Sequence, residues 1–210
     1  MQCFLGLTFS EQYLHYQKID IYRQRFDDKY TKSNILQMTL LPPFEITELE
    51  DDFIEALSDD IEGHLDGLTS LEEISFKGID LTNIRKGNIY LRPELELDFQ
   101  YCQQSLWDTI LEFGGHFKNK KRPIIAKDET VTRTFLPIAR TQNDFDIQSA
   151  AMAANVEFSE AFDLKTKGIS LFESTKGQWL QRKELFSFVG ENYEFNEIEL
   201  MKGKIPALYV

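Results

Sequence analysis

The chain has 210 residues, 42% hydrophobic and 13% aromatic with 17 phenylalanines, enough apolar surface for a buried core, which excludes a disordered protein. Its formal net charge of −12 argues against an extended nucleic-acid surface, because such surfaces draw their affinity from clustered Lys and Arg. Cys3 and Cys102 stand far apart in no metal or redox spacing, so no disulfide framework is expected and a reducing, cytoplasmic setting fits best.

No basic leader opens the sequence and no apolar run approaches 18 residues, so no membrane segment is expected. Residues 2–9 read as a strand. Ser10 is placed to cap a helix from Glu11 to about Phe26, with Leu14, Ile21 and Phe26 on its buried side. Asn34 to Leu41 reads as a second strand, stopped by Pro42-Pro43. Thr47 and Glu50 have the spacing of a capping box, and Phe53, Ile54, Leu57 and Ile61 follow at helical intervals. Gly63 and Gly67 are expected to end that helix.

Between Glu45 and Glu73 there are 12 acidic residues and no Lys or Arg. This is either a solvated helix face or a docking surface for a basic protein partner. Two strands follow, about 73–81 and 88–92, around a turn at Lys86-Gly87-Asn88. Pro93 suits the first turn of a helix reaching Phe113, which Gly114-Gly115 stops. The basic loop 118–122 reads as a solvated loop leading to a strand at Val131–Arg140 and a helix at Asp144–Ala154. A strand pair, 157–165 and 168–174, and a closing strand at Trp179–Phe188 complete the series. Strands and helices mix without strict alternation, so the fold class is α+β rather than a doubly wound sheet.

Two segments carry a resemblance. Tyr22-Arg23-Gln24-Arg25-Phe26-Asp27 followed by Gln37-Met38-Thr39 resembles the first motif region of the two-histidine phosphoesterases, the 2′-5′ RNA ligase-like and cyclic phosphodiesterase-like proteins. Thr134-Phe135-Leu136-Pro137-Ile138-Ala139-Arg140 resembles their second motif, and Ile169–Ser174 and Trp179–Phe188 their late strands. The resemblance covers roughly residues 1–188. It implies two pseudosymmetric lobes with antiparallel sheets around a central cleft and helices outside. The lobes are expected near 1–92 and 93–188, intertwined, with 189–210 as a C-terminal extension.

In that family each motif is His-x-Thr/Ser. Side chains two apart on a strand share a face, so each motif aims an imidazole and a hydroxyl into the cleft. The two imidazoles supply a general base and a general acid. Here the matching positions hold Gln37 and Thr39, then Phe135 and Pro137. A carboxamide and a phenyl ring have no proton affinity useful near neutral pH. The sequence therefore assigns no catalytic residue and no cofactor.

The remaining polar groups suggest a binding module for a nucleotide or another phosphorylated small molecule. Gln37, Thr39, Arg133 and Arg140 would contact the ligand, Phe135 would stack a base, and the family pattern places Arg23 and Arg25 near the rim. One alternative is a protein-interaction module using the acidic helix 48–62 and the C-terminal extension. Another is an enzyme with replaced chemistry acting on RNA or cyclic phosphates. His15, His64 and His116 lie outside both motifs with no ligand spacing, so no metal site is expected.

Overall fold

The computed structural model describes residues 1–30, 35–65, 72–80, 87–95, 97–118, 122–123, 134–141, 144–176 and 178–188. In chain order its elements are β1 (Gln2–Phe9), α1 (Leu14–Phe26), β2 (Gln37–Glu45), α2 (Asp51–Leu65), β3 (Glu73–Asp80) and β4 (Asn88–Pro93). Then come α3 (Leu97–Glu112), β5 (Leu136–Arg140), α4 (Asp144–Glu157), β6 (Phe162–Thr175) and β7 (Gln178–Ser187). The class is α+β: four helices accompany a sheet of seven strands in which every pairing is antiparallel.

The sheet runs β2-β1-β6-β3-β4-β5, with β7 on β6. β6 joins its two halves. Phe162–Lys165 pair with β3, whereas the later residues pair with β1 and with β7. Its first half alternates buried and exposed, as a strand with one open face does. From Gly168 to Phe172 it is buried on both faces. Helix α3 packs on β2 and against α2, which also touches β7, while α1 packs on β5 and β6 and α4 on β3 and β4. Each half-sheet is thus backed by its own helix pair, and the pairs interleave along the chain.

The core stripe of each helix follows from this packing. In α2, Phe53, Leu57 and Ile61 are buried at intervals of four, and in α3 Phe99, Cys102, Leu106 and Ile110 are buried. Helix α1 departs from expectation. It starts at Leu14 with Tyr13 at the cap position, and Ser10 instead donates its backbone N–H to Lys165. Its buried residues are Tyr16, Ile19, Tyr22 and Arg23, while Leu14 and Ile21 are 76% and 56% exposed.

Four more expectations are corrected. β2 continues through Pro42-Pro43 to Glu45, because it lies at the end of the sheet where one edge needs no partner. Its ladder is offset twice, with Cys3 to Leu5 facing Phe44 to Leu41 and Leu5 to Gly6 facing Leu41 to Thr39, bulges that each take up one extra residue. α2 begins at Asp51, past the Thr47–Glu50 box, and runs through Gly63 to Leu65. Pro93 closes β4 rather than opening α3. The expected pair 157–165 and 168–174 is the single strand β6. The C-terminal extension, 189–210, lies outside the described residues.

Candidate functional site

β2 and β5, the two ends of the sheet path, approach each other. Along each, alternation divides the side chains. Met38 and Leu40 on β2, and Leu136 and Ile138 on β5, are buried in the core; Gln37, Thr39, Phe135 and Pro137 are half-buried on the other face. The four motif positions therefore lie off the core face of these two segments. Phe135 sits 5.7 Å, centroid to centroid, from Tyr90 of β4, whose register partner is Pro137.

A bulge shapes the β5 wall. Ile89 faces Ala139 while Tyr90 faces Pro137, so Ile138 is the extra residue. Ile138 and Ala139 are consequently both buried, and Arg140, opposite Asn88, returns to the face of Pro137. Arg140 is exposed, and its carbonyl accepts the backbone N–H of Asp28 at 2.9 Å. Pro137 costs the sheet little, since β5 is a terminal strand.

The β2 wall continues as a polar floor. Thr8 and Gly168 lie in register with Gln37, and Gly6 and Ser170 with Thr39. Thr8 Oγ1 donates to the Gly168 carbonyl at 3.2 Å, and Gln181 Nε2 donates to Ser170 Oγ at 2.9 Å. Farther along the same face, Phe4 and Phe172 stack at 4.7 Å, with Trp179 edge-on to Phe4 at the same distance. Phe4 and Phe172 are buried yet stand apart from the main core cluster.

Gln103 of α3 spans the gap between the walls. Its Nε2 donates to the Leu40 carbonyl at 2.6 Å and to Thr134 Oγ1 at 3.1 Å. Sequence reasoning missed both Gln103 and Tyr90. The one signal was a run of carboxamides, Gln100, Gln103 and Gln104, interrupting an otherwise apolar helix stripe.

The other expected residues are distributed unevenly. Arg133 lies outside the described residues. Arg23 is buried in an ion pair with Asp27 at 3.7 Å, its guanidinium 5.4 Å from the Tyr30 ring centre. Arg25 pairs with Glu157 of α4 and lies over Tyr22 and Phe26, so it is engaged at the α1–α4 contact. In the basic loop, Lys118 is exposed and Arg122 pairs with Asp108.

His15 rests against Phe162 and His64 bonds to Asp60, while the His116 backbone bridges Glu45. Among the described residues no group of three or more His, Cys, Asp or Glu could hold a metal ion. Burial pushes the thiols of Cys3 and Cys102 up to about 11 and about 12, which keeps them protonated and unreactive. Chemically the motif positions and their described neighbours offer a carboxamide, a hydroxyl, aromatic faces and the guanidinium of Arg140. No described side chain at its four motif positions can exchange a proton near neutral pH.

No family model and no curated protein matches the chain. Among solved structures it is similar to a phosphoesterase, at 12% identity and TM-score 0.45, over 89% of this chain and 97% of that one. It is similar to E. coli LigT, solved in complex with NADP+, at 11% identity and TM-score 0.46, over 89% and 96%. It is also similar to Usb1 of Kluyveromyces marxianus, at 10% identity and TM-score 0.33, over 81% and 92%. These likenesses are distant. The functional reading rests on the residues of the cleft.

Proposed function

We propose that the chain is a non-catalytic relative of the two-histidine phosphoesterases whose cleft binds a nucleotide or another phosphorylated small molecule. The observation that carries this reading is the four motif positions. All are half-buried, Gln37 and Thr39 on β2, Pro137 on β5 and Phe135 just before it, the two strands are in contact, and none of the four bears a titrating group. On the β2 wall, Gln37 and Thr39 offer hydrogen-bond donors to phosphate or ribose oxygens. On the β5 wall, Phe135 and Tyr90 offer aromatic faces to a base, and Arg140 a positive charge.

The same substitutions remove the family's acid and base. Loss of one such group lowers rate by about 10²–10⁴, and losses within one catalytic unit do not simply add. The expected result is saturable binding of 2′,3′-cyclic AMP or AMP by calorimetry, weakened by Thr39→Ala, with no turnover of 2′,3′-cyclic nucleotides or 2′-5′ dinucleotides. Turnover that survives rigorous purification and disappears in Thr39→Ala would overturn the non-catalytic reading. Absence of nucleotide binding would overturn the ligand reading.

A second reading is supported by α2. Asp51, Asp52, Glu55, Asp59 and Glu62 are exposed, and among the described residues none of them forms an ion pair; only Asp60 turns inward. A basic protein captured by the chain, and released when these five are neutralised, would favour an interaction module. No helix among the described residues is long and apolar enough to cross a membrane.

A further inference from the structure

The seam between β2 and β5 poses a structural problem. Two terminal strands that approach each other would ordinarily pair and close the sheet, since unpaired edge groups seek partners. Here pairing is obstructed from both sides. Pro42 and Pro43 on β2, and Pro137 on β5, have no N–H to contribute to a ladder. No β2–β5 pairing is present among the described strands. The seam is crossed by a side chain.

Gln103 suits this role for a specific chemical reason. A carboxamide NH2 is a fork with two donors, and here one meets each strand: the Leu40 carbonyl on β2 and the Thr134 hydroxyl at the entry to β5. The anchor points matter most. Leu40 is the immediate neighbour of Thr39, and Thr134 of Phe135. A single side chain therefore ties the β2 backbone beside Thr39 to the hydroxyl of the residue that precedes Phe135. Gln103 is itself fixed by α3, whose flanking residues Phe99, Cys102, Leu106 and Ile110 are buried.

We propose that Gln103 is a positioning residue for the cleft: it fixes the distance between Thr39 and Phe135, and with it the affinity for any ligand that touches both walls. The part concerning ligand rests on the binding reading above; the latch itself does not. Gln103 has no contact with ligand in this scheme. It acts through Leu40 and Thr134.

Three single variants separate the possibilities. Gln103→Glu keeps the shape but has no N–H at neutral pH, Gln103→Met keeps the length without polarity, and Thr134→Val removes the acceptor while leaving α3 intact. Two readouts are followed on the full chain. One is amide hydrogen exchange across β2 and β5 in the ligand-free protein; the other is calorimetric affinity for 2′,3′-cyclic AMP.

Each variant should speed exchange on β2 and β5 about tenfold, leave β3 and α4 unchanged, and weaken binding about three- to tenfold, the scale of one or two lost hydrogen bonds. The Gln103→Met and Thr134→Val losses should not add in the double variant, because they cut one bridge. Exchange unchanged on both strands in all three variants would overturn the latch whatever the protein binds. Changed exchange in a protein that binds no nucleotide would leave the latch standing and remove the ligand reading instead. Wild-type affinity in variants with accelerated exchange would show that the latch does not govern binding, and would overturn the proposal at that point.

Discussion

The two walls of the cleft have equivalent positions in the fold and opposite chemistry. β2 and β5 both end the sheet path and both bury residues in the core; their half-buried motif positions are Gln37 and Thr39 on β2, Pro137 on β5 and Phe135 just before it. β2 presents an amide and a hydroxyl and is backed by α3, which in turn packs on α2; β5 presents a phenyl ring and a proline and is backed by α1, which contacts α4. The difference teaches that two strands in equivalent places keep the same buried row while their other faces carry unlike side chains.

The largest expected effect comes from that buried row. Met38 and Leu136 are fully buried, so Met38→Ala and Leu136→Ala should each cost about 2–5 kcal/mol in urea unfolding. Gln37→Ala and Thr39→Ala, on the cleft face, should stay within about 0.5 kcal/mol, as surface substitutions do. Phe135→Ala is the discriminating case. A cost as large as that of Leu136→Ala would mean that the ring is a core residue and the cleft is closed on that side.

A smaller difference is expected between the helix pairs behind the walls. The Asp60 carboxylate on α2 accepts bonds from Ser105 Oγ at 2.6 Å and Thr109 Oγ1 at 2.9 Å, both on α3. Asp60→Asn removes acceptor capacity and charge from a mostly buried site, so about 1–3 kcal/mol should be lost. Behind β5, the Arg25–Glu157 pair joining α1 to α4 is half-exposed on the arginine side. Arg25→Ala should change stability by less than about 1 kcal/mol, an effect that shrinks further in salt. Equal costs for the two substitutions would erase the distinction between the pairs.

Legibility in the sequence follows the same division. Elements with an uninterrupted pattern, such as β1, β3, β4 and β7, were readable to within a residue or two. α1 was not, because its buried face is built from amphipathic residues, Tyr16, Tyr22 and Arg23; the hydroxyl of Tyr22 reaches the Ala150 carbonyl at 2.7 Å. The apolar Leu14 and Ile21 misled. β6 looked like two strands because Gly168 imitates a turn. In the fold Gly168 marks close packing, since a Cβ there would lie 2.2 Å from the Phe186 carbonyl oxygen.

The alternation of buried and half-buried residues around Gln37, Thr39, Phe135 and Pro137 was legible, because period-two spacing shows in the sequence. Gln103 and Tyr90 were not, since they reach the site through tertiary contacts alone. Nothing local in the sequence encodes the Leu40–Gln103–Thr134 bridge.

The thiols distinguish the two sides in their pH response. Cys3 lies on β1 beside β2, and Cys102 on α3 behind it; burial raises them from about 9 to about 11 and about 12. The folded chain therefore holds these protons after the unfolded chain has lost them. Stability from this source is complete below about pH 9 and falls as pH rises from there toward the folded values. Urea midpoints should decline between pH 9 and 10.5, and Cys102→Ala should flatten that decline while lowering the midpoint at pH 7. A wild-type midpoint that holds constant to pH 10.5 would show that the thiols are not shielded as the structure places them.

The smallest expected effect, a trace of activity, tests the comparison constructively. Gln37→His, Phe135→His and Pro137→Thr together would restore the side chains that the family resemblance assigns to those positions, with Thr39 already present. All three lie on the half-buried face, so the variant should fold with little loss of stability. Rescue is harder on the β5 side. Both ladders carry an extra residue beside the motif, Leu40 on β2 and Ile138 on β5, but only β5 also lacks an N–H there, at Pro137. Catalytic groups must be placed to within about 0.5 Å, and a strand adapted to proline misses that tolerance readily. Turnover of 2′,3′-cyclic AMP should therefore be detectable at most weakly, far below the rate of a natural enzyme. A triple variant that folds and turns over as fast as one would show that the β5 wall had drifted no more than the β2 wall. A variant that cannot fold would place Phe135 in the core, close the cleft, and favour the acidic face of α2 as the working surface.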